Sequence, residues 1–224
     1  MKKILILLTL FVSSSLHAEL FTEYFLDNVI KSEIEYKEGS RNDFREGIKE
    51  GLEKVYYNTG QLAFSVNNIN DKRDGEMHWY DRQKNHLEVI RFKKGKRHGV
   101  NSVFYDNGKL RIEVNYINDK KEGQEKYYFN TGKLASSVNY INGKKEGIQK
   151  EYNQDGSLNN KVTYKNGYKE GEKIWYDTKG NIIKTELYKM DRPINLMKKV
   201  QAKENRTQIK AFNVLNFNPN SHKK

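Results

Sequence analysis

The chain contains no cysteine, only two prolines and few apolar residues for its length. Without cysteine there are no disulfides, no thiolate metal sites and no lipidated cysteine of the bacterial lipoprotein type. Hydrophobic residues make up 36% of the 224 residues, whereas apolar residues, glycine included, usually reach about 45–50% in globular proteins. This shortage argues against one large core and favours a thin, repeated structure that buries one face.

Residues that carry catalytic chemistry are sparse and unpatterned. The histidines follow no metal-ligand spacing; they are His17, His78, His86, His98 and His222. Serine, threonine and lysine are scattered with no general base at a constant distance from them, and no glycine-rich phosphate loop is present. We therefore predict that the protein is not an enzyme and has no catalytic residues, cofactor or metal.

Residues 1–18 are predicted to be a signal peptide. Lys2 and Lys3 form a positive start, an apolar run extends from Ile4 to Val12, and a small-residue stretch ends in a cleavage point after Ala18. The apolar run is shorter than the about 20 residues that span a bilayer, so an uncleaved membrane helix is the less favoured alternative. Removal of two lysines lowers the net charge from +12 to +10, and the predicted location is the periplasm, the outer envelope surface or the medium.

The rest of the chain is dominated by an internal repeat. Six glycines follow one another at 24-residue intervals: Gly51, Gly75, Gly99, Gly123, Gly147 and Gly171. Five residues after each glycine stands an aromatic residue: Tyr56, Tyr80, Phe104, Tyr128, Tyr152 and Tyr176. Position 15 after the glycine is Val or Ile except at Glu186, and position 17 is aromatic except at Asn68. Because several positions keep one phase, the period is real, and repeats of this length indicate a solenoid or array.

Each unit reads as one β-hairpin. Turn pairs such as Asn107-Gly108 and Asn142-Gly143 separate stretches of normal strand length. In the second stretch Leu110, Ile112, Val114 and Tyr116 alternate with polar residues, which predicts an antiparallel sheet with one apolar and one solvated face. The predicted fold is therefore an all-β, elongated antiparallel sheet of stacked hairpins spanning residues 19–192.

An imperfect copy precedes the regular units. Tyr24, Ile30, Ile34 and Tyr36 fall in the repeat phase, and the segment from Ser40 to Glu50 is longer than its counterparts by eight residues. We read this segment as one insertion and predict about seven units, the first without its opening half. Residues 19–24 are left as either a lead-in strand or a short helix.

The constant positions suggest physical roles. We interpret the glycine as a strand residue whose missing Cβ lets a ring lie over the backbone, and we expect the aromatic rings to form ladders along the array. Core packing is the favoured role of those rings, and a stacking surface for bases or sugars is the alternative. The unit of Gly75 departs from the others because Lys84 and His86 replace glycine and leucine. Drift without function is preferred there over a kink, an altered turn or a binding irregularity.

The stretch from Lys121 to Leu134 and the recurring Asn142-Gly143-Lys144-Lys145-Glu146-Gly147 resemble the variant MORN repeat of bacteria, and the chain looks like the YwqK-type antitoxin proteins. The resemblance covers about residues 24–192. It implies an elongated, twisted sheet of hairpins and a role in protein interaction, lipid contact or membrane-associated scaffolding. The antitoxin label implies that a toxin is neutralised by binding, and the family supplies no catalytic residues.

Residues 193–224 form a basic tail beyond the repeat. A short helix over residues 195–209 and a last strand over residues 211–217 are the expected structures. Capping of the open sheet edge is the favoured role, and a basic arm that docks on anionic lipid, polysaccharide or an acidic partner is the alternative. Candidate residues for such an anionic surface are Lys198, Lys199, Lys203, Arg206 and Lys210.

These observations favour an exported, non-catalytic binding or scaffold protein that acts on a protein partner or an envelope surface. A YwqK-type antitoxin and a peripheral protein that binds anionic lipid are the two alternatives. Nucleic acid is a disfavoured partner for an exported protein, although the net charge alone would permit it.

Overall fold

The computed structural model of the protein describes residues 18–40 and 47–194. Residues 1–17 of the predicted signal peptide, most of the insertion before Gly51 and residues 195–224 of the basic tail lie outside the described residues. The candidate anionic-surface residues Lys198, Lys199, Lys203, Arg206 and Lys210 therefore lie outside them as well. Ala18, the last residue of the predicted signal peptide, is the first residue of the first strand.

All regular structure in the described part of the chain is β-strand. The strands are β1 (Ala18–Tyr24), β2 (Ile30–Lys37), β3 (Lys49–Tyr56), β4 (Leu62–Ile69), β5 (Lys72–Arg73), β6 (Gly75–Tyr80), β7 (His86–Lys93), β8 (Lys96–Arg97), β9 (Gly99–Phe104), β10 (Leu110–Ile117), β11 (Lys120–Tyr128), β12 (Leu134–Ile141), β13 (Lys144–Tyr152), β14 (Leu158–Lys165), β15 (Tyr168–Tyr176), β16 (Ile182–Lys189) and β17 (Arg192–Ile194).

The strands form one open antiparallel sheet in chain order. Apart from two interruptions, each strand pairs with the next one along the sequence. Two opening strands are interrupted, so β5 and β6 both pair with β4, while β8 and β9 both pair with β7. The predicted all-β sheet of stacked hairpins is confirmed.

Both turns of the unit use left-handed backbone. The turn after the closing strand has two consecutive residues with positive φ, as at Asn118 (50°) and Asp119 (68°) or Asn142 (52°) and Gly143 (81°). Two such residues are the requirement of a type I′ hairpin turn, which asparagine, aspartate and glycine meet most easily. The chemistry of the turn residues therefore determines where the chain reverses direction.

The first unit is complete, and the prediction that it lacks its opening half is wrong. β1 pairs with β2 along its whole length, and Tyr24 lies opposite Ile30 as Tyr56 lies opposite Leu62 in the next unit. Residues 19–24 are thus a strand and not a helix. The glycine position of this unit is occupied by Glu19, which explains why the glycine phase alone did not reveal the strand.

The predicted alternation along the closing strand is interrupted by a bulge. Leu110 lies opposite Phe104, but Ile112 lies opposite Val103, so Arg111 is an extra residue. Leu110 and Ile112 therefore point to opposite faces, which corrects the expectation that they share one. We call the face that carries Ile112, Val114 and Tyr116 the valine face.

The valine face holds most of the buried residues. Its central row contains Val66, Val138 and Val162, whose exposed fractions are 1%, 3% and 2%. Because the described residues form one sheet with no second layer, these valines are covered by the side chains beside them on the same face. A fold of this kind buries a narrow row in place of a large core, which accounts for the low apolar content.

The repeated glycine is required for its backbone conformation rather than for space. In all six units φ at this glycine lies between +78° and +112°. A Cβ at Gly123 or Gly147 would meet nothing within 4 Å, so the expectation that a ring lies over the glycine is wrong there. The left-handed glycine produces a bulge in the opening strand, as the shift of register between Val114 and Tyr116 shows.

Replacing Gly123 with alanine should therefore destabilise the protein by about 1–2 kcal/mol, because an L-residue is strained at this φ. Gly123→Asn should cost less, since asparagine tolerates the left-handed region. Gly51→Ala should cost more than Gly123→Ala because its Cβ would also displace the Glu35 carboxylate, which accepts the Leu52 N–H at 2.9 Å. Urea midpoints of the three variants measure the order, and equal losses for alanine and asparagine at position 123 would contradict it.

Candidate binding surfaces

A ladder of alternating cations and aromatic rings runs across the valine face. Two residues before each repeat glycine stands a basic residue, and in the five units from Gly75 to Gly171 its charged group lies over the aromatic ring 19 residues later. The pairs are Arg73 over Phe92 (5.4 Å), Arg97 over Tyr116 (4.2 Å), Lys121 over Tyr140 (4.9 Å), Lys145 over Tyr164 (4.8 Å) and Lys169 over Tyr188 (5.2 Å). Each such contact contributes about 0.5–1 kcal/mol at an exposed site and more when it is desolvated.

Four of the five cations of the ladder also have a ring on their other side, the exception being Arg73, which lies opposite Asn68. Lys121 lies opposite Tyr116 in the sheet while its ammonium contacts Tyr140. Lys145 repeats this arrangement between Tyr140 and Tyr164. The expected ladder of ring upon ring at this position is therefore wrong, because a basic side chain separates successive rings. The sequence contains the basic position in constant phase, but its chemistry is apparent only beside the aromatic column.

Buried carboxylates lie next to this ladder. Glu125 is 3% exposed, forms an ion pair with Lys121 and accepts a hydrogen bond from the Tyr140 hydroxyl. Glu53 pairs with Lys49 at 2.7 Å and accepts a hydrogen bond from Asn68 at 3.0 Å. Asn68 takes the place of the aromatic residue in its unit, so this sequence exception supplies an amide donor to the buried acid.

The glycine bulge makes these contacts geometrically feasible. Residues four apart in a regular strand are about 13 Å apart, yet Lys121 and Glu125 touch across Gly123. In the next unit Lys145 reaches Gln149 over Gly147 at 2.8 Å. The position two residues after the glycine therefore accepts either a carboxylate or an amide as the partner of the lysine.

The electrostatics of these residues follow from burial. Burial, with the hydrogen bond to Glu125 as the second cause, raises the pKa of Tyr140. Burial also lowers the pKa of Lys145, with Glu125 acting in the opposite direction. These groups are partly buried and contact one another; Lys121 is neutralised by Glu125, whereas Lys145 has the neutral amide of Gln149 as its partner.

A cavity of about 210 Å³ opens on the valine face between β7 and β11. Its lining includes two acids, Glu88 and Glu125, two bases, Arg97 and Lys121, and the amide of Asn101. Burial raises the pKa of Glu88, and Arg97 partly offsets this effect. The cavity has room for a few water molecules or a small polar molecule, and its acids and bases balance.

The acidic residue before each glycine anchors a turn. Glu122 accepts the backbone N–H of Asn142 at 2.8 Å, and Glu146 accepts that of Asn166 at 2.7 Å. Glu170 accepts the N–H of Met190 at 3.1 Å. In the described part of the chain their carboxylates accept backbone N–H groups of the turns, which have no partner in the sheet. Their role is therefore structural.

The degenerate unit of Gly75 retains its hairpin. Lys84 adopts the left-handed conformation of the missing glycine (φ 70°), and the turn closes by a hydrogen bond from Asp81 N–H to the Asn85 carbonyl at 3.0 Å. His86 lies against Tyr80, with 4.5 Å between ring centroids. The alternatives of a kink or an altered turn in this unit are therefore wrong.

The aromatic column five residues after the glycine, which includes Tyr80, lies on the face opposite the valine face.

A second surface follows the turns that connect one unit to the next. It carries basic residues at the end of a closing strand or the start of the following opening strand. We call it the basic edge; it consists of Lys37, Lys72, Lys93, Lys96, Lys120, Lys144, Lys165, Lys189 and Arg192, all of them exposed. No ion pair within the described residues involves any of these side chains.

Apolar side chains alternate with the cations of the basic edge. Ile117 lies opposite Lys120, Ile141 opposite Lys144, and Lys165 opposite Tyr168. These apolar residues are 45%, 48% and 49% exposed. The nearby turn aspartates are engaged with the backbone, as when Asp119 accepts the N–H of Arg97 at 3.0 Å. The edge is therefore amphipathic, and its cations are exposed without an ion pair among the described residues, although Lys96 interacts electrostatically with Asp119.

In residues 18–40 and 47–194, no three His, Asp or Glu side chains are grouped so that they could hold a metal ion. Nor does this part of the chain include a helix of the length and apolar character needed to cross a membrane.

The sequence matches the family model of the MORN repeat variant over residues 49–67, 97–118, 121–142, 145–166 and 169–190. The unmatched interval contains the degenerate unit of Gly75, which nevertheless folds as a hairpin. No curated protein matches the chain.

Among solved structures, a mutant of S. aureus TarM in complex with fondaparinux, alpha-GlcNAc-glycerol and UDP is 19% identical, with a TM-score of 0.30 over 43% of this chain and 19% of that one. A crystal structure of TarM gives 19% identity and a TM-score of 0.29 over 42% of this chain and 20% of that one. The chain thus spans about a fifth of the length of these proteins, and a likeness this weak supports no argument about its function.

Replacement of Glu125 tests the buried ion pair. Glu125→Ala should lower the free energy of unfolding by roughly 1–3 kcal/mol, since the lysine and the tyrosine hydroxyl lose a charged partner. Glu125→Gln should lose less because glutamine occupies the equivalent position at Gln149. Chemical denaturation measures both losses, with Gln149→Ala as the matched control, and a glutamine variant as unstable as the alanine variant would contradict this account.

Stability should fall in alkaline solution. The Tyr56 hydroxyl donates to Glu33 at 2.6 Å, and burial together with this bond raises the pKa of Tyr56. A tyrosine with a raised pKa in the folded state stabilises the fold below the ordinary tyrosine pKa of about 10, and this contribution is lost as the pH rises above that value. Between pH 8.5 and 11.5 the urea midpoint of the wild type should decline more steeply than that of Tyr56→Phe; parallel declines would refute the assignment.

Proposed function

We propose that this chain, which is a MORN-repeat protein, is a non-catalytic binding protein. Its basic edge binds an extended anionic surface of the cell envelope. MORN repeats are typically binding or scaffold modules, and this is compatible with a role that involves no catalysis. The observation that carries the proposal is the row of exposed cations, without ion-pair partners among the described residues, that recurs at the turns between units.

The spacing of the cations favours an extended partner. Equivalent residues of adjacent units are two strands apart, which is about 10 Å, close to the Debye length of about 8 Å at physiological ionic strength. Neighbouring cations can therefore act together on one extended partner, while the turn carboxylates of the same edge, such as Asp119 and Glu122, reduce the net positive potential. Weak contacts repeated along one rigid surface add up through effective concentration when the partner is also extended.

The alternating apolar residues favour a lipid surface over a hydrated polysaccharide. Ile117, Ile141 and Tyr168 lie about half exposed between the cations. Side chains of this kind can enter the headgroup region of a bilayer while neighbouring lysines contact anionic headgroups. Each basic residue near such a surface contributes about 1 kcal/mol, so a row of them would support reversible binding.

Export is part of the proposal, and it rests on the charged start, apolar run and small-residue cleavage point of residues 1–18. The protein would then meet an anionic envelope surface from outside the cytoplasm. Fractionation of cells that express the full chain tests this point. Recovery of the processed protein with the envelope or in the medium is expected, and recovery of unprocessed protein only in the cytoplasm would refute it.

Binding to vesicles tests the basic edge. The protein should float with vesicles that contain phosphatidylglycerol and remain unbound with vesicles of phosphatidylcholine alone. The triple variant Lys96→Glu/Lys120→Glu/Lys144→Glu should lose most of this binding, because three attractive charges become repulsive. Binding of the wild type should also fall as the salt concentration rises.

A matched triple variant on the other long edge serves as the control. Lys109, Lys133 and Lys179 are exposed in the turns within the hairpins, so Lys109→Glu/Lys133→Glu/Lys179→Glu makes the same change in net charge elsewhere. Equal loss of binding in both triples would show that net charge alone matters and would refute the basic edge as the site. Replacing Lys198, Lys199, Lys203, Arg206 and Lys210 with alanine separates a contribution of the basic tail from that of the edge.

Toxin neutralisation, which the YwqK resemblance implies, is the competing role for the same chain. Affinity purification from envelope extract distinguishes the two roles. Capture of a toxin whose growth inhibition is relieved by co-expression would support that role. The basic-edge proposal would be refuted if, in addition, the Lys96/Lys120/Lys144 variant bound vesicles as well as the wild type.

A further inference from the structure

The last long strand of the sheet is only partly covered. β16 pairs along its whole length with β15, but on its other side only Leu187, Tyr188 and Lys189 pair with β17. Within the described residues, nothing pairs with the outer edge of residues 182–186. An uncovered edge presents unpaired backbone N–H and C=O groups that can bind another strand.

The uncovered edge also exposes apolar side chains. Ile182 is 61% exposed and Ile183 is 66% exposed. At the repeat position of Ile182, the leucines of four other units, Leu62, Leu110, Leu134 and Leu158, are less exposed. In those units the next hairpin covers the closing strand, so β16 presents a surface that the array elsewhere keeps covered.

The opposite end of the sheet presents the complementary surface. β1 pairs with β2, and no other described strand pairs with it. It occupies the same place in its unit as β11 and β15 occupy in theirs, and each of those strands binds the preceding closing strand on that side. The two ends of the sheet are thus the two halves of the contact that joins one unit to the next.

We propose that the protein self-associates head to tail, with β1 of a second copy docked on β16 in the register that the repeat uses internally. Inside the array this register places Ile112 opposite Tyr127, Glu113 opposite Lys126 and Val114 opposite Glu125. The unit of β15 repeats it with Asn160 opposite Trp175 and Lys161 opposite Ile174.

The same register between two copies gives favourable cross-strand pairs. Lys184 lies opposite Glu23 of the second copy, and Thr185 lies opposite its Thr22. Opposite charges and threonine pairs are both stabilising when they face each other across antiparallel strands. Lys184 contacts Glu186 and the Trp175 ring, and Glu23 contacts Lys31 and the hydroxyl of the buried Ser32. Both charged side chains nevertheless stay about half exposed, at 58% for Lys184 and 41% for Glu23, so a docking strand can reach them.

The short strand β17 is compatible with this arrangement. Arg192 pairs with Lys189 as Lys120 pairs with Ile117 in an earlier unit. Lys120 stands three residues before Gly123, so residues 192–194 occupy the three positions that precede the repeat glycine in a regular unit. In the docked second copy, Glu19 occupies the repeat-glycine position and would follow directly after residue 194 of the first copy. The predicted cleavage after Ala18 leaves Glu19 as the first residue, so β17 and the docked β1 would lie end to end without overlap. The inference rests on this processing and not on the lipid-binding role.

The contact joins different surfaces of two identical chains, so it does not close into a dimer. Repetition adds one array after another and extends the same twisted sheet. The basic edges of successive copies would then lie along one line.

The direction of the backbone groups on β16 permits a selective test. Asn67 and Arg91 stand at the same position of their units as Leu187 does in the last unit. Their carbonyls accept the N–H groups of Asp74 and His98, which belong to the next hairpin. The backbone N–H and C=O groups of Leu187 therefore point to the outer edge of β16. Since N–H and C=O groups alternate sides along an antiparallel strand, those of Thr185 point to the same, uncovered edge. Thr185→Pro therefore removes a docking donor without removing a bond to β15.

The measurement is the mass of the chain beginning at Glu19, by sedimentation equilibrium between about 1 and 100 µM. The wild type should show a mass that rises with concentration without a plateau. Thr185→Pro should abolish the rise, whereas Thr185→Val, which keeps the N–H, should retain most of it. Circular dichroism and urea midpoints confirm that each variant is folded. A wild type that is monomeric throughout, as when the chain's own tail covers β16, would overturn the proposal.

A charge swap tests the partner and the register together. Lys184→Glu and Glu23→Lys should each raise the concentration needed for association severalfold, because like charges then face each other. An equimolar mixture of the two variants should recover association, since every contact in an alternating chain again joins opposite charges. Failure of the mixture to recover, or association of Thr185→Pro equal to that of the wild type, would overturn the proposed contact. Neither result bears on vesicle binding.

Discussion

The structure depends on the left-handed glycine in the opening strand of each of the six units from Gly51 to Gly171. At Gly123 this conformation takes two extra residues out of the pairing with β10 and brings Lys121 against Glu125. It also points Glu122 towards the N–H of Asn142 in the turn. One backbone constraint thus places a cation over a ring, gives a buried carboxylate its partner and secures the turn to the next unit. The period of the sequence is the period of this constraint.

A single sheet without a second layer has to cover its buried face with its own side chains. The valine row is narrow, and the residues beside it are long lysines and flat rings that extend over it. Such side chains combine apolar stems or faces with polar ends, so they shield the row and still meet water. This explains how a chain with 31% charged residues builds a regular sheet. It also explains why the cations on the valine face lie against rings or carboxylates, whereas the described cations of the basic edge have no such contact.

The division between paired and free charge also connects the two proposals. Lipid binding uses the long basic edge, and head-to-tail association uses the two short ends of the sheet. The two surfaces do not overlap, so association would lengthen the basic edge without covering it. An extended cationic edge of this kind gains affinity for an anionic surface through multivalency, because each added copy binds within the reach of its neighbours.

The sequence by itself determined the period, the hairpin and the sheet. Glycine at constant intervals and asparagine or aspartate in the turns restrict local backbone angles, and these are properties of individual residues. Only the tertiary structure decided that Leu110 and Ile112 point to opposite faces and that Glu19 takes the glycine place of a complete first unit. It also decided that the aromatic column alternates with cations. Each of these depends on a bulge or on the register between strands, and a bulge reverses the faces of residues that an unbroken period of two would place together.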